Sequence, residues 1–275
     1  MNTNKTQEST QTNSVDFNPN QMTHQSNLSQ MRKKKASLIR FYWIASITGL
    51  VTLISCLRII LASWLGRLSI TDVDRRMKWW ASQLLGLVRV KTHVVGVENM
   101  PTKGRRVIVM CNHSSLYDIP VAISALDTSF RFVAKKELFN IPIFGSALKR
   151  GGFLSIDRNN REQAVKDLQR AKEQMLNGIT LWMSPEGTRS KDGKLAEFKR
   201  GGFHIAIETK ALIVPVVIKD IHKLQAGDNL DLYLNQDIEV EICKPIDAAE
   251  FSLENRRALI NQVRAIMLNA LGQKE

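Results

Sequence analysis

The chain has 275 residues, 44% of them hydrophobic, which allows one large domain with appendages and a real core. Lys and Arg total 39 against 26 acids, a formal charge of +13, so the surface suits polyanions such as nucleic acid, anionic lipid headgroups or phosphorylated small molecules. Cys56, Cys111 and Cys243 stand far apart in apolar settings, which excludes a disulfide framework and a cysteine-based metal site and fits a reducing compartment.

In chain order, residues 1–35 come first as a polar tail rich in Asn, Gln, Ser and Thr that ends in the basic cluster Arg32–Lys35. It lacks apolar periodicity and is expected to be disordered; it is no signal peptide, because the apolar stretch starts too late. Residues 36–80 form an apolar segment: Phe41–Leu57 is uncharged, Arg58 interrupts, and "IILASWLG" continues to Gly66. A spanning helix needs roughly 20 apolar residues. Basic residues flank both ends (Arg32–Lys35 and Arg40 before; Arg67, Arg75, Arg76 and Lys78 after), so the positive-inside rule sets no orientation. A kinked or two-helix hairpin lying in one leaflet keeps both flanks at one anionic surface, with Trp64, Trp79 and Trp80 at the interface. A buried core helix is the plainer alternative.

Residues 81–275 read as an α/β domain. "VRVKTHVVGVENM" alternates like a strand and "RRVIVMC" is a short apolar one. "LYDIPVAISAL" suits a helix, "FRFVA" a strand, and "REQAVKDLQRAKEQMLNG" an amphipathic helix ending at Gly178. "ITLWM", "ALIVPVVIK", "LDLYL" and "IEVEIC" follow as strands, and a last helix begins near Ser252. The expected fold is α/β: a mixed, mostly parallel sheet flanked by helices, preceded by the N-terminal membrane-associating helical segment.

In "CNHSSLYDIP", His113 precedes Asp118 by five positions. On a continuous helix that is about 140° of extra rotation, so the two would not share a face. A strand ending near Cys111, a turn through "NHSS" and a helix capped by Ser114 or Ser115 would let His113 fold back over Asp118. Asp118 would fix the tautomer and leave the other ring nitrogen to take a proton. That is a Ser-His-Asp triad without its serine. The same residues also serve as ordinary turn and capping groups. Downstream, "SPEGTRS" (184–190) follows the strand "ITLWM", at the strand end where open α/β sheets bind ligands. Gly187 permits close backbone approach, and Thr188 and Arg189 offer donors to a phosphate. "RGGFLSIDR" (150–158) places Arg158 beyond a glycine pair and a short apolar strand.

In order, "NHSSLYD", "GGFLSIDR", "PEGTRS" and "ALIVPVVI" resemble the four blocks of the 1-acylglycerol-3-phosphate acyltransferase family, glycerolipid acyltransferases with an H-x4-D motif. "FKRGG" (198–202) resembles the segment between the last two, and the likeness covers roughly residues 80–245. The resemblance implies acyl transfer from acyl-CoA or acyl-acyl carrier protein to the sn-2 hydroxyl of a lysophospholipid, lysophosphatidic acid first, in phospholipid biosynthesis. It implies His113 as general base, Asp118 as its orienting partner, and Asn112, Arg158, Glu186, Gly187, Thr188 and Arg189 on the acceptor side, with Arg158 on the phosphate. Pro215 matches a structural proline. Neither metal nor cofactor is implied beyond the thioester co-substrate. The implied partners are the lysophospholipid, the acyl donor and an anionic membrane surface, without nucleic acid. The implied location is the cytoplasmic face of the cell membrane. Ser155 departs from the bulkier apolar residue common at its position, which bears on acceptor fit. Another lyso-lipid acceptor, such as lyso-ornithine lipid, and a non-catalytic basic membrane-binding protein are the competing readings. A serine hydrolase is disfavoured by the lack of G-x-S-x-G.

Overall fold

The elements follow the apolar periodicities closely in this computed structural model, which describes residues 34–101, 104–156, 161–225 and 230–274. The tail through residue 33 and the expected phosphate ligand Arg158 lie outside the described residues. The order is β1 (Lys34–Lys35), α1 (Leu38–Trp64), α2 (Ile70–Val88), β2 (Lys91–Val95), β3 (Val107–Cys111), α3 (Asp118–Ala125), β4 (Phe130–Lys135), α4 (Phe144–Arg150), β5 (Leu154–Ile156), α5 (Arg161–Leu176), β6 (Thr180–Met183), α6 (Gly201–Thr209), β7 (Leu212–Ile218), β8 (Tyr233–Leu234), β9 (Asp237–Ile242), β10 (Ile246–Asp247) and α7 (Arg256–Leu271).

The main sheet runs β2-β9-β7-β3-β6-β4-β5, with β10 beside β7. Its pairs are parallel except β7–β9 and β7–β10, so the mixed, mostly parallel expectation holds. Period-two alternation splits the core between the two faces. Val107, Val109 and Cys111 of β3 pack with α2 and α3, through Val73, Met77, Ala81, Val121 and Ala122. Ile108 and Met110 pack on the other face with α5, α6 and α7, through Met175, Phe203, Val263 and Met267. Central strands covered on both faces read as continuous apolar runs, which is why "VIVM" and "LIVPVVI" do not alternate with polar residues. Pro215 sits in β7 where its outer neighbour changes from β10, paired at Leu212 and Ile213, to β9, paired from Val216. A missing N–H is tolerated at such a change of partner.

The apolar segment folds as two helices. Ser69 opens α2 with a capping box to Asp72. Arg58 does not interrupt α1, which is continuous for 27 residues, about 40 Å at 1.5 Å per residue. Its guanidinium lies 5.0 Å over the ring of Trp79. By length and composition α1 could cross a membrane. Its outward face exposes Ile39, Tyr42, Trp43, Leu50, Leu57, Leu61 and Trp64. Of the three tryptophans expected at an interface, Trp64 is exposed, whereas Trp80 is turned inward and donates to Thr52 Oγ1 at 3.0 Å, tying α2 to α1. The boundary expected at residue 80 falls inside α2. Lys34 and Lys35, placed by composition at the end of the tail, pair with Tyr233 and Leu234 as β1. "LDLYL" therefore contributes only the two-residue β8, with Asp231 spent on Lys35 at 2.8 Å.

One buried cation joins the helical pair to the sheet. Arg131, on β4 and 2% exposed, donates to Asp74 Oδ1 of α2 at 2.6 Å, to the Gly151 carbonyl at 2.7 Å and to the Phe130 carbonyl at 2.9 Å. Ser129 Oγ donates to the second Asp74 oxygen. Breaking a buried pair from one side strands the other charge, so Arg131→Ala should lower unfolding free energy by about 3–5 kcal/mol. Denaturant unfolding measures it; a loss within error of zero would show that the contact carries no load.

Candidate active site

β3 and β6 are parallel neighbours, with Ile108, Val109 and Met110 opposite Leu181, Trp182 and Met183. Their carboxyl ends therefore deliver "NHSS" and "SPEGTRS" to the same edge of the sheet. The turn after β3 does what the five-residue spacing requires. Asp118 is fully buried and its Oδ2 accepts from Ser114 N at 2.8 Å and Ser115 N at 2.9 Å. The same oxygen lies 2.6 Å from His113 Nδ1. The helix cap differs from expectation. Tyr117 occupies the N-cap without a side-chain bond, and Ser115 Oγ instead accepts from Tyr117 N at 3.2 Å. The carboxylate of Asp118 itself reaches back over the turn, so the N-cap serine becomes unnecessary. Among the described residues, Asp118 is the hydrogen-bond partner of the His113 ring, which keeps Nε2 for the cavity that His113 lines.

Asn112 and Glu186, expected on the acceptor side, are held underneath instead. Asn112 is 5% exposed; its Oδ1 accepts from Ile218 N at 2.8 Å and its Nδ2 donates to Ile218 O at 3.0 Å. Its amide thereby imitates a strand residue and carries the β3–β7 pairing past Cys111. Glu186 is 2% exposed, with Oε1 accepting from His113 N and Oε2 from Ala196 N, each at 2.8 Å. Ser190 N returns a bond to the His113 carbonyl at 2.7 Å. Burial pushes the Glu186 carboxyl above its ordinary range, and the two backbone N–H groups pull it back. Neither residue lines the cavity.

That cavity, about 840 Å³, is lined by His113, Ser115, Gly187, Thr188 and Arg189 among others. Gly187 turns the chain at φ 75°, a left-handed conformation in which its N–H returns to Ser184 O at 3.3 Å. Gly202, from "FKRGG", allows α6 to approach the sheet; a Cβ there would meet Met183 Sδ at 2.4 Å. The lining is asymmetric. Lys135, Arg189, Lys191 and Lys199 contribute four cations, and among the described residues neither Asp nor Glu lines it. It adjoins an apolar cavity of about 140 Å³ between the helical pair and the sheet, with Ile119, Phe132, Ala134 and Leu138 lining both. Lys135, Lys191 and Lys199 carry no motif signature strong enough to single them out in the sequence. Their register does so afterwards, at the end of β4 and in the loop after β6. Among the described residues no group of three or more His, Cys, Asp or Glu side chains is arranged to hold a metal ion.

Comparisons with known proteins agree with this geometry. Residues 91–219 match the acyltransferase family profile. A chloroplastic 1-acyl-sn-glycerol-3-phosphate acyltransferase of Brassica napus is 34% identical over 163 residues, 59% of this chain and 47% of that one. The 1-acyl-sn-glycerol-3-phosphate acyltransferase of Salmonella typhimurium is 35% identical over 161 residues, 58% of this chain and 64% of that one. This chain thus spans about half of the plant relative's length. The crystal structure of the 1-acyl-sn-glycerophosphate (LPA) acyltransferase PlsC from Thermotoga maritima superposes with a TM-score of 0.69 at 27% identity, covering 85% of this chain and 92% of that one.

Glu186→Gln sets an amide N–H₂ against one of two backbone donors. Hydrogen bonds to a charged group contribute about 1.5–3 kcal/mol, so a stability loss of that size is expected in thermal unfolding. An unchanged Tm would show that Glu186 does not brace the His113 turn.

Proposed function

We propose, from the premise that residues 91–219 are an acyltransferase-family domain, that the chain transfers an acyl group from a thioester to the sn-2 hydroxyl of 1-acyl-sn-glycerol-3-phosphate, giving phosphatidic acid. The observation that carries the reading is a His–Asp dyad in a cavity that is cationic on one side and apolar on the other. His113 Nε2 takes the proton of the acceptor hydroxyl as its oxygen attacks the thioester carbonyl. Asp118, buried and already held by two backbone N–H groups, stabilises the imidazolium that results and costs no reorganisation at that moment. The tetrahedral intermediate collapses, the C–S bond breaks, and the imidazolium proton goes to the departing thiolate. The nucleophile is the acceptor's own hydroxyl.

Arg189 with Lys135, Lys191 and Lys199 supports a phosphate-bearing acceptor, since several cations lining one site favour a dianion. The resemblance gives the phosphate contact to Arg158, and this set would act beside it. A phosphate-free acceptor such as lyso-ornithine lipid makes less use of this basic lining. The apolar cavity, lined by Cys56, Ile59, Trp80, Phe144 and Ala147, suits an acyl chain. Acyl-CoA and acyl-acyl carrier protein both fit as donors; both are water-soluble, and a site on the cytoplasmic face of the membrane meets the donor in water and the acceptor in lipid.

His113→Ala should abolish turnover while the Tm holds, and Asp118→Asn should cut kcat on the order of 10⁴-fold by spoiling the tautomer. Purified enzyme assayed over a panel of lyso-lipids with both thioesters checks this. Turnover near wild type in either variant, or equal rates on phosphate-free acceptors, would overturn the reading. Ala147→Leu fills the apolar cavity and should shift preference to shorter acyl chains, read from competition between thioesters of different length; an unchanged preference would place the chain elsewhere.

A further inference from the structure

The segment between β4 and α4 exposes three large aliphatic side chains. Leu138 is 37% exposed, Ile141 46% and Ile143 42%. Ile143 adopts φ 64°, ψ −58°, and Phe144 N donates to Pro142 O at 2.6 Å. This is a γ-turn with a β-branched residue at positive φ, a strained arrangement. The turn places neighbouring side chains on opposite sides: Phe144 lines the apolar cavity, and Ile143 remains exposed.

The surroundings say what covers it. α4 packs on α1, where Ala147 joins Cys56 and Ile59 in one apolar cluster. Arg150 donates to Ser63 at 2.9 Å and lies 5.9 Å over Trp64. The exposed aliphatics thus continue the outward apolar face of α1, at its Leu57, Leu61 and Trp64 end. Lys135, Lys149 and Arg150, all exposed, flank them in the chain, with Glu137 as the acid between positions 135 and 150. Leu138 lines both cavities, so the segment is also the lip of the site.

We propose that Leu138–Ile143 is a second membrane-contact element, seated at the headgroup–acyl boundary of an anionic bilayer beside α1. Aliphatic tips with a basic border are the composition that such a boundary selects. The element places the lip of the cavity in the lipid phase, so an amphiphile passes from bilayer to site without crossing water. The proposal goes beyond the acyl-transfer reading and holds whatever the acceptor is.

The test uses the full chain in vesicles of phosphatidylcholine and phosphatidylglycerol, with an environment-sensitive fluorophore on Ile141→Cys and, separately, on Glu254→Cys. Both sites are exposed, whereas the native cysteines are buried, so labelling is selective. The label at 141 should be quenched by lipids brominated on the acyl chain and shielded from aqueous iodide; the label at 254 should behave in reverse. Equal iodide quenching at the two positions overturns the proposal. Shielding at 141 that appears only when acyl carrier protein is added overturns it too, and assigns the surface to that acidic protein. Neither readout depends on turnover, so failure here is distinct from failure of the proposed chemistry.

Discussion

A single carboxylate oxygen organises the catalytic end of the sheet. Asp118 Oδ2 gathers two backbone N–H groups and the His113 ring, all within 2.6–2.9 Å. Those bonds close the turn that leads from β3 into α3, and closing the turn is what brings two residues five apart into contact. Structural and chemical roles are therefore inseparable here. The bonds that shape the backbone also hold Asp118 in place to orient the imidazole, and full burial protects the arrangement from competition by water.

The turn would be free to swing without its braces. Asn112 ties one side to Ile218 of β7, and Glu186 ties the other to the loop after β6. His113 is thus anchored through its backbone to both strands that neighbour β3. Asn112 and Glu186 thus sit beneath the cavity, whereas Gly187, Thr188, Arg189, Lys191 and Lys199 contribute to its lining. Two acids and an amide near one histidine give a single usable acid–base pair, because the other two spend their hydrogen-bonding capacity on main chain.

Much of this was legible beforehand, and the gaps have physical causes. Continuous apolar runs located the central strands, since burial on both faces leaves no other residue choice. The His113–Asp118 contact followed from strand, turn and helix in succession. Asn112 and Glu186 are expected on the acceptor side, and the structure shows both bonded to main chain beneath the cavity. Residue type fixes what an amide or carboxylate can bond, whereas only the register of β3, β6 and β7 decides whether main chain or ligand takes the bond. Arg131 escaped notice because an arginine in "FRFVA" reads as a surface residue; its partner Asp74 lies 57 positions earlier. α4 and α6 are too short for helical periodicity to register, and each forms because tertiary packing covers it.

The two sides of the cavity pose one geometric problem, and the helical pair solves it. A cationic pocket must face water or headgroups, and an apolar cavity must be kept from water, yet the reacting atoms have to lie between them. Putting α1 and α2 across the sheet edge encloses the apolar side with Cys56, Ile59, Met77 and Trp80, while the strand ends leave the cationic side open. Arg131 and Asp74 fix α2 to β4, so the apolar wall keeps its distance from His113. The outward face of α1 then stays apolar, with nothing among the described residues to cover it. The same placement that builds the inner wall of the site leaves the outer face of α1 exposed and apolar, so that face and the shape of the site follow from one packing arrangement.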